Sequence, residues 1–343
     1  PELIRVFILG GSAALGFPHK NHGLDRLLAA QLRAALPSRD VEVINTAMTS
    51  VNSHVVYAVA KSIPEDSADF AVILMGNNEV VGPYGPGTFS QNFLENITLI
   101  RGIQALKRTR TWQALNSLIL QISPTDAMQE LEWEGMQMFT NRGVTYDDPR
   151  MAGVYSHYED NLARIIETLR DKGMHVILSS VPVNLRHSAP FMSEHSPNLS
   201  EEQLDQWREL TRRGTRSADK ENWDDADTHF QAAVDIDPGY ADTHFRLATV
   251  FENLGEFQKA RNHYQRALDL DALRFRADTE INIIIQDVAA GAESGTFSFV
   301  DSTAAFEQAS QPYQPGWNLL LEHVHYGFAG NHVLAAEISG SIV

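Results

Sequence analysis

Four short apolar runs in the first half of the chain limit the folds open to it: residues 4–9, 41–44, 70–75 and 175–183. Each is rich in Val and Ile and stops at Gly, Asn or Pro, the pattern of a strand buried on both faces. Stretches of helical period lie between them. Residues 24–36 put Leu24, Leu27, Leu28, Leu32 and Leu36 on one face, and 154–169 do the same with Tyr155, Tyr158, Leu162, Ile165, Ile166 and Leu169. Strands apolar on both faces need helices over each, so the alternation predicts an α/β fold: a three-layer sandwich around a parallel sheet. In such sheets function gathers at the carboxyl ends of the strands. Gly10, Gly11 and Ser12 leave one strand there, and Gly76, Asn77, Asn78 and Glu79 leave another.

The alternation lapses between residues 89 and 148. Leu99, Ile103, Leu106, Leu115 and Leu118 predict one or two amphipathic helices, with the basic residues Arg101, Lys107, Arg108 and Arg110 on or beside them. That cluster reads either as a solvated face or as a lid or partner surface. Asn96-Ile97-Thr98 matches a glycosylation acceptor, a triplet common by chance.

An internal repeat follows. Trp223, Ala226, Phe230, Ala233 and Asp237 recur 34 residues on as Phe257, Ala260, Tyr264, Ala267 and Asp271. This resembles the period and small/large pattern of tetratricopeptide repeats, and Leu247, Ala248 and Phe251 strengthen the second copy. Pro238 closes the first where that family often has proline. Two repeats are few for a free-standing solenoid, so a helix over 274–288 and the main domain are expected to cap them. Residues 297–301 ("FSFVD") then read as one more strand and the end of "LEHVHYGFAGNHVLAAEI" as a helix. The expected division is an α/β domain over 1–200 and 293–343 with an all-α repeat insertion over 201–292.

A net charge of −17 argues against a nucleic-acid partner, which would need a basic face. The chain has no cysteine, so disulfides, thiolate metal sites and a cysteine nucleophile are excluded. No apolar stretch reaches the length of a membrane span. The sequence opens at Pro1, directly before a strand-like run, so upstream sequence holding an anchor or address is expected, and the compartment stays open between cytoplasmic and extracytoplasmic.

The run "FILGGSAALGFP" (7–18) lacks the lysine of a phosphate loop and the spacing of a dinucleotide fingerprint. Ser12 is then either a helix N-cap or a nucleophile, and the second needs a base and an oxyanion hole. Asn77 and Asn78 at the third strand's exit carry amides that can donate to an oxyanion. "NTAMTSVNSH" (45–54) leaves the second strand and can offer a backbone N–H. Near the end, Glu322 precedes His325 by three residues, a carboxylate able to fix an imidazole tautomer. His323 and His325, with His332 nearby, also admit a metal reading, although no fourth ligand is local. His54 reads as a surface or satisfied polar group that could face the site. Arg274 and Arg276 in "DALRFRAD" read as salt bridges to acids such as Asp269 or Asp271, or as a clamp for an anionic substrate group. Arg186 has the same two readings at the fourth strand's exit.

These blocks resemble those of the SGNH, or GDSL-type, hydrolases, in particular a bacterial subgroup whose hydrolase domain carries tetratricopeptide repeats. Gly10-Gly11-Ser12, residues 45–50, Gly76-Asn77-Asn78-Glu79 and Glu322-x-x-His325 stand in that family's order, each at a strand exit and the last before a final helix. The likeness spans about 1–200 and 293–343. It implies an SGNH/flavodoxin-like sheet and a serine esterase working through an acyl-enzyme. Ser12 would be nucleophile, His325 base and Glu322 its orienting acid, with the Ser12 and Ser50 N–H groups and Asn78 as oxyanion donors. Asn77, Arg186, Arg274 and Arg276 would be candidate substrate contacts. Ser50 stands where the family has glycine, so a left-handed backbone there would be strained. Gly11 and Glu79 replace the usual Asp, and Ala47 fills another common glycine position. No cofactor or metal is implied. The expected partners are a small-molecule or glycan ester and a protein on the repeats. An O-acyltransferase with the same site, and a non-catalytic repeat scaffold, are the alternatives.

Overall fold

Five strands form one parallel sheet: β1 (Leu3–Gly10), β2 (Asp40–Asn45), β3 (Phe70–Leu74), β4 (His175–Ser179) and β5 (Phe297–Val300), in the order β2-β1-β3-β4-β5. The structure is a computed structural model describing residues 3–88, 96–107, 109–110, 112, 143–293 and 295–343. Residues Arg108, Leu115 and Leu118 of the expected amphipathic segment lie outside these.

Helices α1 (Ser12–Leu15), α2 (Leu24–Ala35), α3 (Ser53–Ser62), α4 (Ile97–Lys107) and α5 (Arg150–Asp171) belong to the first half. After β4 come α6 (Glu201–Ala218), α7 (Trp223–Ile236), α8 (Ala241–Asn253), α9 (Phe257–Asp269) and α10 (Thr279–Gly291), and β5 is followed by α11 (Ser302–Ser310) and α12 (Phe328–Gly340). The chain steps from β1 outward to β2, then back across β1 to β3. Right-handed crossovers therefore send α2 and α3 to opposite faces. α12 packs on α2 and α11, while α5 packs on α3 and α10. The strands run nearly unbroken in buried apolar residues, from Val6, Ile8 and Leu9 through Val72, Ile73 and Leu74 to Val176, Ile177 and Leu178. This is a three-layer α/β sandwich, and the strand order switches between β1 and β3, the place where ligands gather in such sheets.

β4 stops at Ser179 although the apolar run continues to Val183. Val181 and Val183 stay buried, but the backbone leaves the ladder: Val181 N–H donates to Asn282 Oδ1, and the Pro182 carbonyl accepts from the Tyr326 hydroxyl. Apolarity reported burial there, and hydrogen bonding ended the strand earlier.

Helices α6 to α9 pack as two antiparallel pairs. Ala226, Phe230, Ala233, Ala260, Tyr264 and Ala267 are buried between them. Gly214 of α6 lies against the Phe230 ring so closely that a Cβ would sit 2.9 Å from it. The helix expected over 274–288 begins at Thr279, where the Asp278 side chain caps it by accepting the Ile281 N–H at 3.0 Å, and Arg274 and Arg276 lie in the loop before it. It also covers the sheet: Ile281 and Ile285 join the main core, and Asn282 bonds both backbone groups of Val181. Among the described residues, no helix is long and apolar enough to cross a membrane.

Candidate active site

The end of β1 is shaped by close approach. A Cβ on Gly10 would lie 2.0 Å from the Leu74 carbonyl oxygen of β3 and 2.7 Å from Ala14 Cβ, so only glycine fits. Gly11 is the N-cap of α1 and Ser12 its first residue, with no side-chain cap bond. The capping role weighed for Ser12 is thus taken by a glycine. The serine hydroxyl instead meets His325 Nε2 at 2.7 Å. As the opening residue of a helix, Ser12 has a backbone N–H with no intrahelical partner.

His325 sits in a tight turn between Leu320 and Tyr326, which form an antiparallel bridge. The Leu321 N–H donates to the His325 carbonyl at 2.8 Å, and the Gly327 N–H to the Leu319 carbonyl at 2.8 Å. Gly330 of α12 presses on that same carbonyl, where a Cβ would approach to 2.2 Å. Glu322 Oε1 lies 2.6 Å from His325 Nδ1 and also accepts the backbone N–H groups of Val324 at 3.2 Å and His325 at 2.6 Å. Its second oxygen pairs with His323 Nδ1. Burial pushes the Glu322 carboxyl up, but the hydrogen bonds from His323 and His325 outweigh it and hold the group well below the usual carboxylate range. A carboxylate on Nδ1 assigns the proton to that nitrogen and leaves Nε2 to accept from the serine. The two histidines therefore converge on one carboxylate. The Phe17 ring packs beside His325 at a centroid distance of 5.0 Å.

The exits of β2 and β3 meet the same turn. Asn78 Nδ2 donates to the Val51 carbonyl at 3.1 Å and lies 3.6 Å from where a Gly11 Cβ would be, so the amide nitrogen stands beside the serine turn. Asn45 Nδ2 donates to the Ala14 carbonyl and Met48 N–H to the Gly10 carbonyl, tying the loop after β2 to α1. Ser50 is exposed and has φ 57°, inside the left-handed region that favours glycine.

Behind these residues lies a buried polar network that sequence reasoning missed. Glu79 accepts the Ser53 N–H at 2.9 Å and the Ser53 hydroxyl at 2.7 Å. Burial pushes its carboxyl up to about 7 against the opposing hydrogen bonds. Asn161 of α5 donates to Ser53 Oγ at 3.0 Å and meets His54 Nδ1 at 3.1 Å. Arg101 of α4 donates to Asn161 Oδ1 and pairs with Asp160. His54 is buried in this network, lowered to about 4 by burial and by the charges of His157 and Arg101. The readable signal was the acid directly after Asn78 opposite a serine that opens a helix.

The four residues considered as substrate contacts are engaged elsewhere. Asn77 Oδ1 accepts the Ala277 N–H at 3.0 Å. Arg274 is buried and donates to Asp278 and to the carbonyls of Val144 and Asp269. Arg276 is buried and donates to Asp271 and to the carbonyls of Asn184 and Ser188. Arg186 forks onto Glu252 of α8 and lies 3.9 Å over the Tyr313 ring. The clamp reading of these arginines is corrected: the buried guanidiniums of Arg274 and Arg276 need partners, which carboxylates and carbonyls of the fold supply, and the half-buried Arg186 is taken up by Glu252.

A tetratricopeptide-repeat profile matches residues 241–272, the second repeat. No curated protein matches the chain. Solved structures with a similar course include an acetyl xylan esterase from Geobacillus stearothermophilus, at 12% identity over 99% of this chain and 94% of that one, with a TM-score of 0.42. A GDSL-like lipase from Bacteroides thetaiotaomicron is similar at 11% identity, covering 98% and 87%, with a TM-score of 0.42. A lipase/acylhydrolase from Enterococcus faecalis is similar at 11% identity, covering 99% and 95%, with a TM-score of 0.39.

Proposed function

We propose that the protein is a serine hydrolase that cleaves acyl esters through an acyl-enzyme. The observation that carries this reading is the pair of contacts Ser12 Oγ to His325 Nε2 at 2.7 Å and His325 Nδ1 to Glu322 Oε1 at 2.6 Å. Ser12 Oγ attacks the ester carbonyl while His325 Nε2 takes its proton, and Glu322 stabilises the imidazolium. The carbonyl electrons move onto oxygen, which the Asn78 amide and the N–H groups of Ser12 and Ser50 stabilise. Collapse breaks the bond to the alkoxide, which takes the proton from His325. Water then repeats the sequence and frees the acid. The α/β part, 1–200 with 293–343, holds this machinery. The repeat region, 201–292, serves as an arm for a partner or substrate, a role supported by its helix pairs.

The test is labelling by a fluorophosphonate together with turnover of p-nitrophenyl acetate. Wild type labels and turns over, and Ser12→Ala abolishes both. A folded wild type that does neither, on this or other short esters, overturns the reading in favour of a scaffold. Product appearing on an added glycan in place of free acid would make the protein an acyltransferase.

A further inference from the structure

The two repeats end in equivalent aspartates, Asp237 and Asp271, and both grip the segment that leads from β4 into the insertion. Asp237 holds His195 Nδ1 at 2.6 Å and the Ser196 N–H at 3.1 Å. Asp271 holds the N–H groups of Phe191 at 3.0 Å, Met192 at 3.1 Å and, on its own loop, Leu273 at 3.1 Å. The same segment begins at Asn184, which is fully buried. Asn184 Nδ2 donates to the Glu322 carbonyl at 2.9 Å and its N–H to the His323 carbonyl at 3.0 Å. Arg276 joins the two ends: Nη2 donates to Asp271 at 3.0 Å, and Nη1 donates to the Asn184 carbonyl at 3.0 Å and the Ser188 carbonyl at 2.8 Å.

We propose that the repeat arm positions the orienting acid of the catalytic site, through Asp271, Arg276 and Asn184 acting on the backbone of Glu322. The proposal rests on the serine-hydrolase reading and deepens it. A second contact reaches the same carboxylate from its other side. The Phe191 ring, held by Asp271 through its N–H, packs edge-on against His323 at 5.0 Å, and His323 shares Glu322. Glu322 is thus fixed at its main chain by Asn184 and at its free oxygen by a histidine that the repeat loop braces. The side chains of Arg276 and Asp271 are each only 3% exposed, so their pairing is rigid and poorly screened. These are positioning residues, and a displacement of the order of an ångström at a catalytic group is enough to cost about 100-fold in rate.

The experiment is a double-mutant cycle in the full chain with p-nitrophenyl acetate. Asn184→Asp keeps the oxygen that accepts the His187 N–H but removes the donor to Glu322. Asp271→Asn keeps an oxygen for the Met192 and Leu273 N–H groups but puts an amide N–H2 where Oδ2 accepts from the Phe191 N–H and Arg276, and removes the charge. Each variant is combined with Glu322→Ala, which leaves no side chain at 322 to position. Acting through Glu322, each lowers kcat about 10-fold or more with little change in KM, and has no further effect when Glu322 is already Ala. Losses that multiply through in the Glu322→Ala background, or an unchanged kcat in the folded variants, overturn the proposal. Should Asn184→Asp fail to fold, Asp271→Asn carries the test. Fluorophosphonate labelling of wild type runs alongside: no labelling and no turnover removes the hydrolase reading itself, whereas labelling with multiplicative losses removes only the positioning role.

Discussion

Glu322 and His325 are joined through one oxygen, Oε1, which lies 2.6 Å from the ring Nδ1 and also takes the His325 N–H at 2.6 Å. The main chain therefore fixes which end of a side chain at 322 faces the imidazole. In Glu322→Gln the carbonyl oxygen stays on His325, the productive tautomer persists, and only the charge is lost. The expected fall in kcat is about 100-fold, less than the roughly 10⁴-fold that follows when an amide forces the wrong tautomer. Glu322→Ala should fall further. Equal kcat values for the two variants, from initial rates on p-nitrophenyl acetate, would contradict this.

Ser50 has a backbone that suits glycine, with φ 57°. Its side chain is exposed, so nothing packed is lost on removing it. Ser50→Gly should raise stability by about 0.5–1 kcal/mol, since relief of the left-handed strain exceeds the added chain entropy. Its kcat should stay within two-fold. Urea unfolding at fixed pH measures the difference, and a destabilised variant would mean the φ is held by something other than the loop's own bonds.

Glu79 ties stability to pH. Its carboxyl is raised from 4.5 to about 7, so between these values the folded state holds more protons than the unfolded state. Stability from this group is present below pH 4.5 and is lost as pH rises through about 7. The difference amounts to at most about 3 kcal/mol. Glu79→Gln mimics the protonated group and should flatten the stability profile over that window, gaining on wild type at pH 8 relative to pH 5. Parallel curves for the two proteins in denaturant titrations would count against it.

Gly10 is held against the Leu74 carbonyl, 2.0 Å from where a Cβ would stand. Because the obstacle is strand backbone, Gly10→Ala must spread β1 from β3. A loss on the order of 3 kcal/mol is expected, along with weaker fluorophosphonate labelling as Ser12 shifts. Thermal melting by circular dichroism checks it, and an unchanged melting temperature would show that the sheet can open there freely.

Much of the architecture is legible in the order of residues. The period of Leu24, Leu28 and Leu32 marks α2, and the Val/Ile runs mark the strands, because burial on one or two faces is written directly into residue order. The 34-residue recurrence marks α7 to α9 for the same reason, since small residues are required wherever two helices touch. Less legible were features set by hydrogen bonds. The apolar run to Val183 outlasts β4, and Arg274 and Arg276 look alike in sequence but grip different carboxylates, Asp278 and Asp271.

The sequence by itself determined the strand and helix periods, the repeat, and the presence of a serine, an asparagine and a Glu-x-x-His block at element ends. Only the tertiary structure decided that Ser12 meets His325 across 313 residues, and that the glycine at 11 rather than the serine caps α1. It also decided that Glu79 serves Ser53 and that the repeat's Asp271 reaches toward Glu322. Apolar periodicity is local and survives in the order of residues. A hydrogen bond's partner is chosen by how distant elements dock, and no short stretch of chain contains that choice.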